Sequence, residues 1–246
     1  MNFEEIEANI DRLKRQLDML NLSTNQLLRL VPHFRLDWGE AEEGFSDDFN
    51  IGATKPVLLS GLANQGHKIK TNGLLFRNSK IAGILFDTFL TKTKLTKQVI
   101  VQIHQEIIRN GGKWREQDVI IKDYNNIITP PFTKVDQIES HIDELINWYN
   151  DEVESSTLHP LTLASIFHYN LVKIHPFIDA NGRLARIISS LILLKYGFPP
   201  PVTKYEDRRE YLSAIRNADT GEIKPLVAFL ADKVGNSLNY LLSIKA

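Results

Sequence analysis

Apolar positions set most of the chain in helical register. Ile6, Ile10, Leu13, Leu17 and Leu20 recur at three- and four-residue steps, which predicts an amphipathic helix within residues 3–31. The run Leu22, Ser23, Thr24, Asn25 interrupts it and offers a fresh N-cap. Residues 32–56 lose the period. They open at Pro32, close at Pro56, and hold three glycines and the acidic cluster Glu40, Glu42, Glu43, Asp47 and Asp48, which predicts a loop-rich connector. From about Gly73 the helical period returns. Residues 95–110 read as one helix, opened by Leu95 and Thr96 and closed by Asn110, Gly111 and Gly112. The period then shortens to β-rich runs at 118–122 and 126–129, stopped by Pro130 and Pro131, which predicts a β-hairpin. Further helices are expected at 135–150, with Ile138, Ile142, Leu145 and Trp148 on one face, and at 161–173. Residues 183–196 are apolar on nearly every side and should be buried nearly all round, up to the stop at Pro199, Pro200 and Pro201. Two last helices fill 206–217 and 223–244. The fold class expected is all-α with one short β-hairpin.

Composition narrows the picture further. The 246 residues are 43% hydrophobic and 24% charged, an ordinary globular balance that argues against disorder over most of the length. A net charge of −1 gives no electrostatic case for binding nucleic acid. The absence of cysteine removes disulfides, thiolate catalysis and cysteine-ligated zinc. The apolar run from Ile187 to Leu194 is broken by Ser189 and Ser190 and falls well short of the ~18–20 residues of a membrane span. The first residues have neither a basic region nor an apolar one, so no signal peptide is expected. A cytoplasmic protein with no membrane partner is the expectation.

The chemistry concentrates in residues 175–186. Pro176 disfavours the α region at His175, so the preceding helix must end there. Asn181 and Gly182 suit a turn, and a new helix follows. A loop meeting a helix N-terminus offers free amides and a positive dipole end, and consecutive amides around Ala180, Asn181 and Gly182 can nest a phosphate pair. Arg183 and Arg186 lie three apart, on neighbouring faces, and both can reach one polyphosphate. Asp179 would repel phosphate unless a cation lay between them, which suggests Mg²⁺. His175 supplies a base of near-neutral pKa. Singly, each has an ordinary reading: a helix-end histidine, a turn, surface ion pairs. Their coincidence within twelve residues describes a phosphate-ester transfer site.

This segment resembles the signature of the Fic family, HPFx(D/E)GNGRxxR, departing from it at Ala180, where glycine is usual. The resemblance extends over roughly 95–235, through Leu95, Thr96 and His104, the run Gly112 to Arg115 with Val119, the hairpin, Trp148 and Tyr149, and His159 and Pro160. It implies a Fic-type helical core with a hairpin flap, organised as an N-terminal helical extension and connector (1–72), an inhibitory-helix-like segment (73–94) and a catalytic core with C-terminal helices (95–246). It implies AMP transfer from ATP, with Mg²⁺, to a Ser, Thr or Tyr hydroxyl of a target protein, and of the chain itself. His175 would be the general base and Asp179 the Mg²⁺ ligand. Asn181 and Gly182 would line the anion hole, Arg183 would meet the β-phosphate and Arg186 the γ-phosphate. Phe177 would anchor the loop in the core. The flap at 117–130 would dock an extended target segment by backbone pairing.

Many members of that family carry an inhibitory helix, (S/T)xxxE(G/N), whose glutamate pairs with the second motif arginine. Residues 78–83 resemble it, with Ala82 where the glutamate belongs and Asn78 where Ser or Thr is usual. The resemblance implies that Arg186 meets no such brake from Ala82. Elsewhere, His168, His104 and His159 read as structural, since no zinc spacing accompanies them. Tyr205 and Tyr211 follow the proline break, and Tyr211 is the candidate to border the adenine, with core packing as its ordinary role. The helix at 234–242 offers a face for a homodimer without a specific signal for one. Two other functions stay open: a Fic-fold transferase with another nucleotide or phosphate-containing donor, and a non-catalytic regulator.

Overall fold

A computed structural model describes residues 2–20, 95–108, 111–120 and 132–243. Seven α-helices are described: α1 (Phe3–Met19), α2 (Lys97–Ile107), α3 (Ile138–Ser155), α4 (Pro160–Ile174), α5 (Asn181–Lys195), α6 (Arg208–Asp219) and α7 (Lys224–Ser243). Short 3₁₀ turns, Val135–Gln137 and Tyr205–Asp207, lead into α3 and α6. Among the described residues there is no strand. The expected hairpin is therefore corrected at 118–120, which are irregular; its remaining residues, like the inhibitory-helix-like segment and the connector at 32–56, lie outside the described residues.

Helix ends follow local chemistry. Asn2 caps α1 through a reciprocal box: the Glu5 amide donates to its side chain at 2.8 Å, and the Glu5 carboxylate accepts from the Asn2 amide at 2.9 Å. Thr96 Oγ1 accepts from the Val99 amide at the start of α2. Pro160 occupies the first turn of α4, where its missing N–H costs nothing. At the other end of α4, His175 adopts the left-handed conformation, φ 51° and ψ 57°, as the following proline requires it to leave the helix.

The centre is the α4–α5 pair, with α3 and α7 against α4 and α2 against α5. Phe167, Leu171, Leu184, Ile188 and Leu193 are fully buried here. The expectation of a helix buried nearly all round is met by α5: only Gly182, Arg183 and Lys195 escape burial. α1 packs on α7, where Gly235 lets the Ile10 side chain approach: a Cβ there would lie 3.3 Å from Ile10 Cδ1. Thr162 Oγ1 donates to Glu7 Oε1 at 2.6 Å and His159 Nε2 lies 3.2 Å from Asp11, tying α1 to the start of α4. Val234 and Leu238, in the helix considered for a homodimer, are buried within the chain. No described helix is long and apolar enough to cross a membrane.

Candidate active site

The corner between α4 and α5 brings the predicted residues of 175–186 together. Two left-handed residues shape it, His175 and, at φ 61° and ψ 15°, Ala180. The alanine thus stands in a backbone conformation that glycine takes at lowest cost. Between them Phe177 is fully buried. Asn181 closes the loop: its Oδ1 accepts from the Phe177 amide at 2.9 Å, and its Nδ2 donates to the Phe177 carbonyl at 2.8 Å. That side chain is therefore committed to the loop, and only the backbone of Asn181 faces the helix start. The first intrahelical bond of α5 runs from the Leu184 amide to the Ala180 carbonyl, so the amides of Asn181 and Gly182 have no acceptor inside the helix. Among the described residues, a Cβ on Gly182 would meet only Arg186 Nη1, at 3.5 Å.

His175 is 8% exposed, and its ring stacks on Phe132 with centroids 4.0 Å apart. Nδ1 lies 3.3 Å from the Val172 carbonyl, which can only accept. Nδ1 therefore carries the proton, and Nε2 keeps the lone pair. Burial is the main cause pushing the imidazole down to about 4, with Arg115 adding to it against Val172 and Asp179. The ring is neutral at pH 7. Asp179 is open to solvent, its side chain 72% exposed, and Arg183 Nη2 lies 3.8 Å from its Oδ2. Arg186 is buried, its guanidinium carbon 5.9 Å from the Tyr211 ring centroid. Tyr211, expected at the adenine, is 4% exposed and engages His168 through its hydroxyl at 2.9 Å. The side chain of Tyr205 lies outside the described residues.

Two residues hold the corner from outside. Arg115, with no side-chain exposure, donates from Nε to the His175 carbonyl and from Nη1 to the Gln117 carbonyl, both at 2.8 Å. Its Nη2 donates to the Thr133 carbonyl, and its own amide donates to the Pro176 carbonyl at 2.9 Å. His104 stacks on Phe177, centroids 3.6 Å apart and planes within 6°. The Gly112 amide donates to its Nδ1 at 2.8 Å, so Nε2 bears the proton and donates to the Asp179 carbonyl at 3.1 Å. Sequence reading treated His104 as structural and passed over Arg115. Its run, Gly112 to Arg115, belongs to the family resemblance, but partners 18 and 60 residues away leave no local trace.

A buried neutral histidine, an exposed carboxylate and two arginines around open helix amides define an anion-handling corner of an all-helical domain. Comparison with known proteins narrows that class. Residues 94–193 match the model of the Fic/DOC family, which supports a Fic domain over that stretch of the chain. It is 28% identical over 189 residues to the protein adenylyltransferase fic-1 of Caenorhabditis elegans, covering 74% of this chain and 36% of the worm protein. It is 27% identical over 187 residues to the protein adenylyltransferase Fic of Nematostella vectensis, covering 74% of this chain and 42% of that one. The chain thus spans well under half the length of these curated relatives. Among solved structures, a Fic domain containing signaling protein from Bacteroides thetaiotaomicron superposes with a TM-score of 0.85 at 23% identity, covering 96% of each chain. Fic-1 from C. elegans (residues 134–508) gives 0.79 at 24% identity, covering 98% of this chain and 72% of that one. These two likenesses establish the fold.

Proposed function

We propose that this chain transfers AMP from ATP to a Ser, Thr or Tyr hydroxyl of a target protein, and to itself. The observation that carries the reading is the corner itself: His175 Nε2 holds its lone pair in the same loop whose far end opens helix amides to an anion. The names of the related adenylyltransferases favour AMP as the transferred group. In the reaction, the hydroxyl oxygen forms a bond to the α-phosphorus, the bond from that phosphorus to the bridging oxygen breaks, and pyrophosphate departs. The hydroxyl proton passes to Nε2, a step worth ~10²- to 10⁴-fold in such catalysis. A pKa of about 4 makes the resting ring a weak base. Bound polyphosphate brings negative charge near the imidazolium and raises that value toward neutrality.

The residues present fit Mg²⁺. The described residues hold no cluster of three acidic or histidine side chains, so no all-protein metal cage exists among them. A single exposed carboxylate beside an anion site suits a cation that takes its other ligands from phosphate and water. Asp179 would hold it, and the ion would offset charge on the phosphates. Asn181 and Gly182 offer amides to the α- and β-phosphates, Arg183 its guanidinium to the β-phosphate, and Arg186 to the γ-phosphate. A target segment docks along 117–130. By the family resemblance, Ala82 stands where an inhibitory glutamate would be and supplies no carboxylate itself.

Intact-mass spectrometry after incubation with ATP and Mg²⁺ tests this, beside His175→Ala. One added AMP in the native chain and none in the variant is the expected result. A gain of phosphate mass, or equal AMP gain in the variant, would overturn the donor geometry or the base.

A further inference from the structure

Tyr211 sits between Arg186 and a buried chain of hydrogen bonds that the proposed reaction does not use. On one side its ring lies beneath the Arg186 guanidinium carbon at 5.9 Å, within reach of cation–π attraction. On the other its hydroxyl enters a buried chain of hydrogen bonds. Ser189 donates its Oγ proton to the Ala185 carbonyl at 2.7 Å. Ser189 Oγ therefore accepts from His168 Nδ1, 2.9 Å away. With the proton on Nδ1, His168 Nε2 must accept, and the Tyr211 hydroxyl donates to it at 2.9 Å. This arrangement satisfies every member while His168 is neutral. Complete burial, with Arg186 as a second cause, pushes that histidine down to about 3. The hydrogen bond is shielded from water, for His168 and Ser189 are each 1% exposed.

We propose that Tyr211 is a positioning residue that holds Arg186 against the terminal phosphate of a nucleoside triphosphate, so that the site distinguishes a triphosphate from a diphosphate. This rests on the assignment of Arg186 to the γ-phosphate. The anchor comes from α4 and α5, the helices that form the corner, while Tyr211 comes from α6. α6 therefore reports on the far end of the polyphosphate without touching it. The predicted contact of Tyr211 with adenine is replaced by this role, since a ring 4% exposed and committed on both sides has little surface to offer a base.

The test is calorimetric titration of the full chain with MgATP and with MgADP, for the native chain, Arg186→Ala, Tyr211→Leu and Tyr211→Phe. Arg186→Ala is expected to weaken ATP by about 10- to 100-fold and ADP by less than about twofold. Tyr211→Leu should weaken ATP by about tenfold with ADP within about twofold. Tyr211→Phe keeps the ring and the volume but strands His168 Nε2, and should weaken ATP by roughly threefold with the same selectivity. Should the leucine variant fail to fold, the phenylalanine variant alone decides. Equal losses for both nucleotides, or none for ATP, in a folded Tyr211 variant would overturn the positioning role. An Arg186→Ala chain that treats ATP and ADP alike would instead overturn the γ-phosphate assignment, and this proposal with it.

Discussion

Ala180 carries a methyl group in the left-handed region that L-residues other than glycine and asparagine rarely occupy. The cost is ~1–2 kcal/mol in the folded chain. Glycine there would add ~0.4–1 kcal/mol of unfolded-state entropy. The strain exceeds the entropy, so Ala180→Gly is expected to raise stability by about 0.5–1 kcal/mol, read as a higher urea midpoint at unchanged slope. A lower midpoint would show that packing of the buried methyl outweighs the strain. The residue types of the corner were legible in the sequence, because Pro176, Asn181 and Gly182 have strong local preferences. The commitment of the Asn181 side chain to Phe177 was not, because an amide can serve a ligand or a loop equally well and only the fold chooses.

Helix periods survived the move to three dimensions within one or two residues for α4 to α7, while α3 starts three residues later and ends five later than expected; a buried stripe and a capped end act together. The hairpin reading did not survive at 118–120. Val119 and Ile120 favour a strand, but a strand preference acts through packing against a neighbour, and Ile120 is 69% exposed; the second run, 126–129, lies outside the described residues. What holds this stretch is Arg115, which binds Gln117 and Thr133 on either side of it and the His175 carbonyl beside it. Lysine keeps the charge and loses the fork of donors. Arg115→Lys is expected to lower turnover by about 10- to 100-fold, leave ATP affinity within about twofold, and cost roughly 2–4 kcal/mol of stability. Steady-state kinetics beside the ATP titration separate these. A proportional loss of ATP binding would place Arg115 in general packing and remove it from the alignment of the base.

Across the whole molecule, α1 and α7 close the chain upon itself from its two described ends, and burial makes stability pH-dependent. His168 and His175 are neutral in the fold, held at about 3 and about 4, whereas in the unfolded chain they titrate near 6.5. Between those values the unfolded state binds more protons than the native one. Stability is therefore complete above about pH 6.5 and falls as the pH drops, each histidine adding a slope of up to about 1.4 kcal/mol per pH unit. Urea unfolding at pH 7.5 and 5.5 should show the lower midpoint at 5.5. A midpoint that holds or rises on acidification would mean that one or both histidines are charged in the fold.

By itself the sequence determined what depends on neighbours a few residues apart: helix periods, caps, the proline stop at His175, the anion-ready helix start, and the family motif. Those follow from backbone sterics and short-range hydrogen bonding, which the order of residues dictates. Tertiary structure alone decided what depends on residues brought together from far along the chain. Arg115 beneath His175, His104 locked on Asp179, and Tyr211 hydrogen-bonded to His168 beside the Arg186 guanidinium all arise there. A buried polar atom must find its partner wherever the packing of helices leaves one, and that position is written in no single segment.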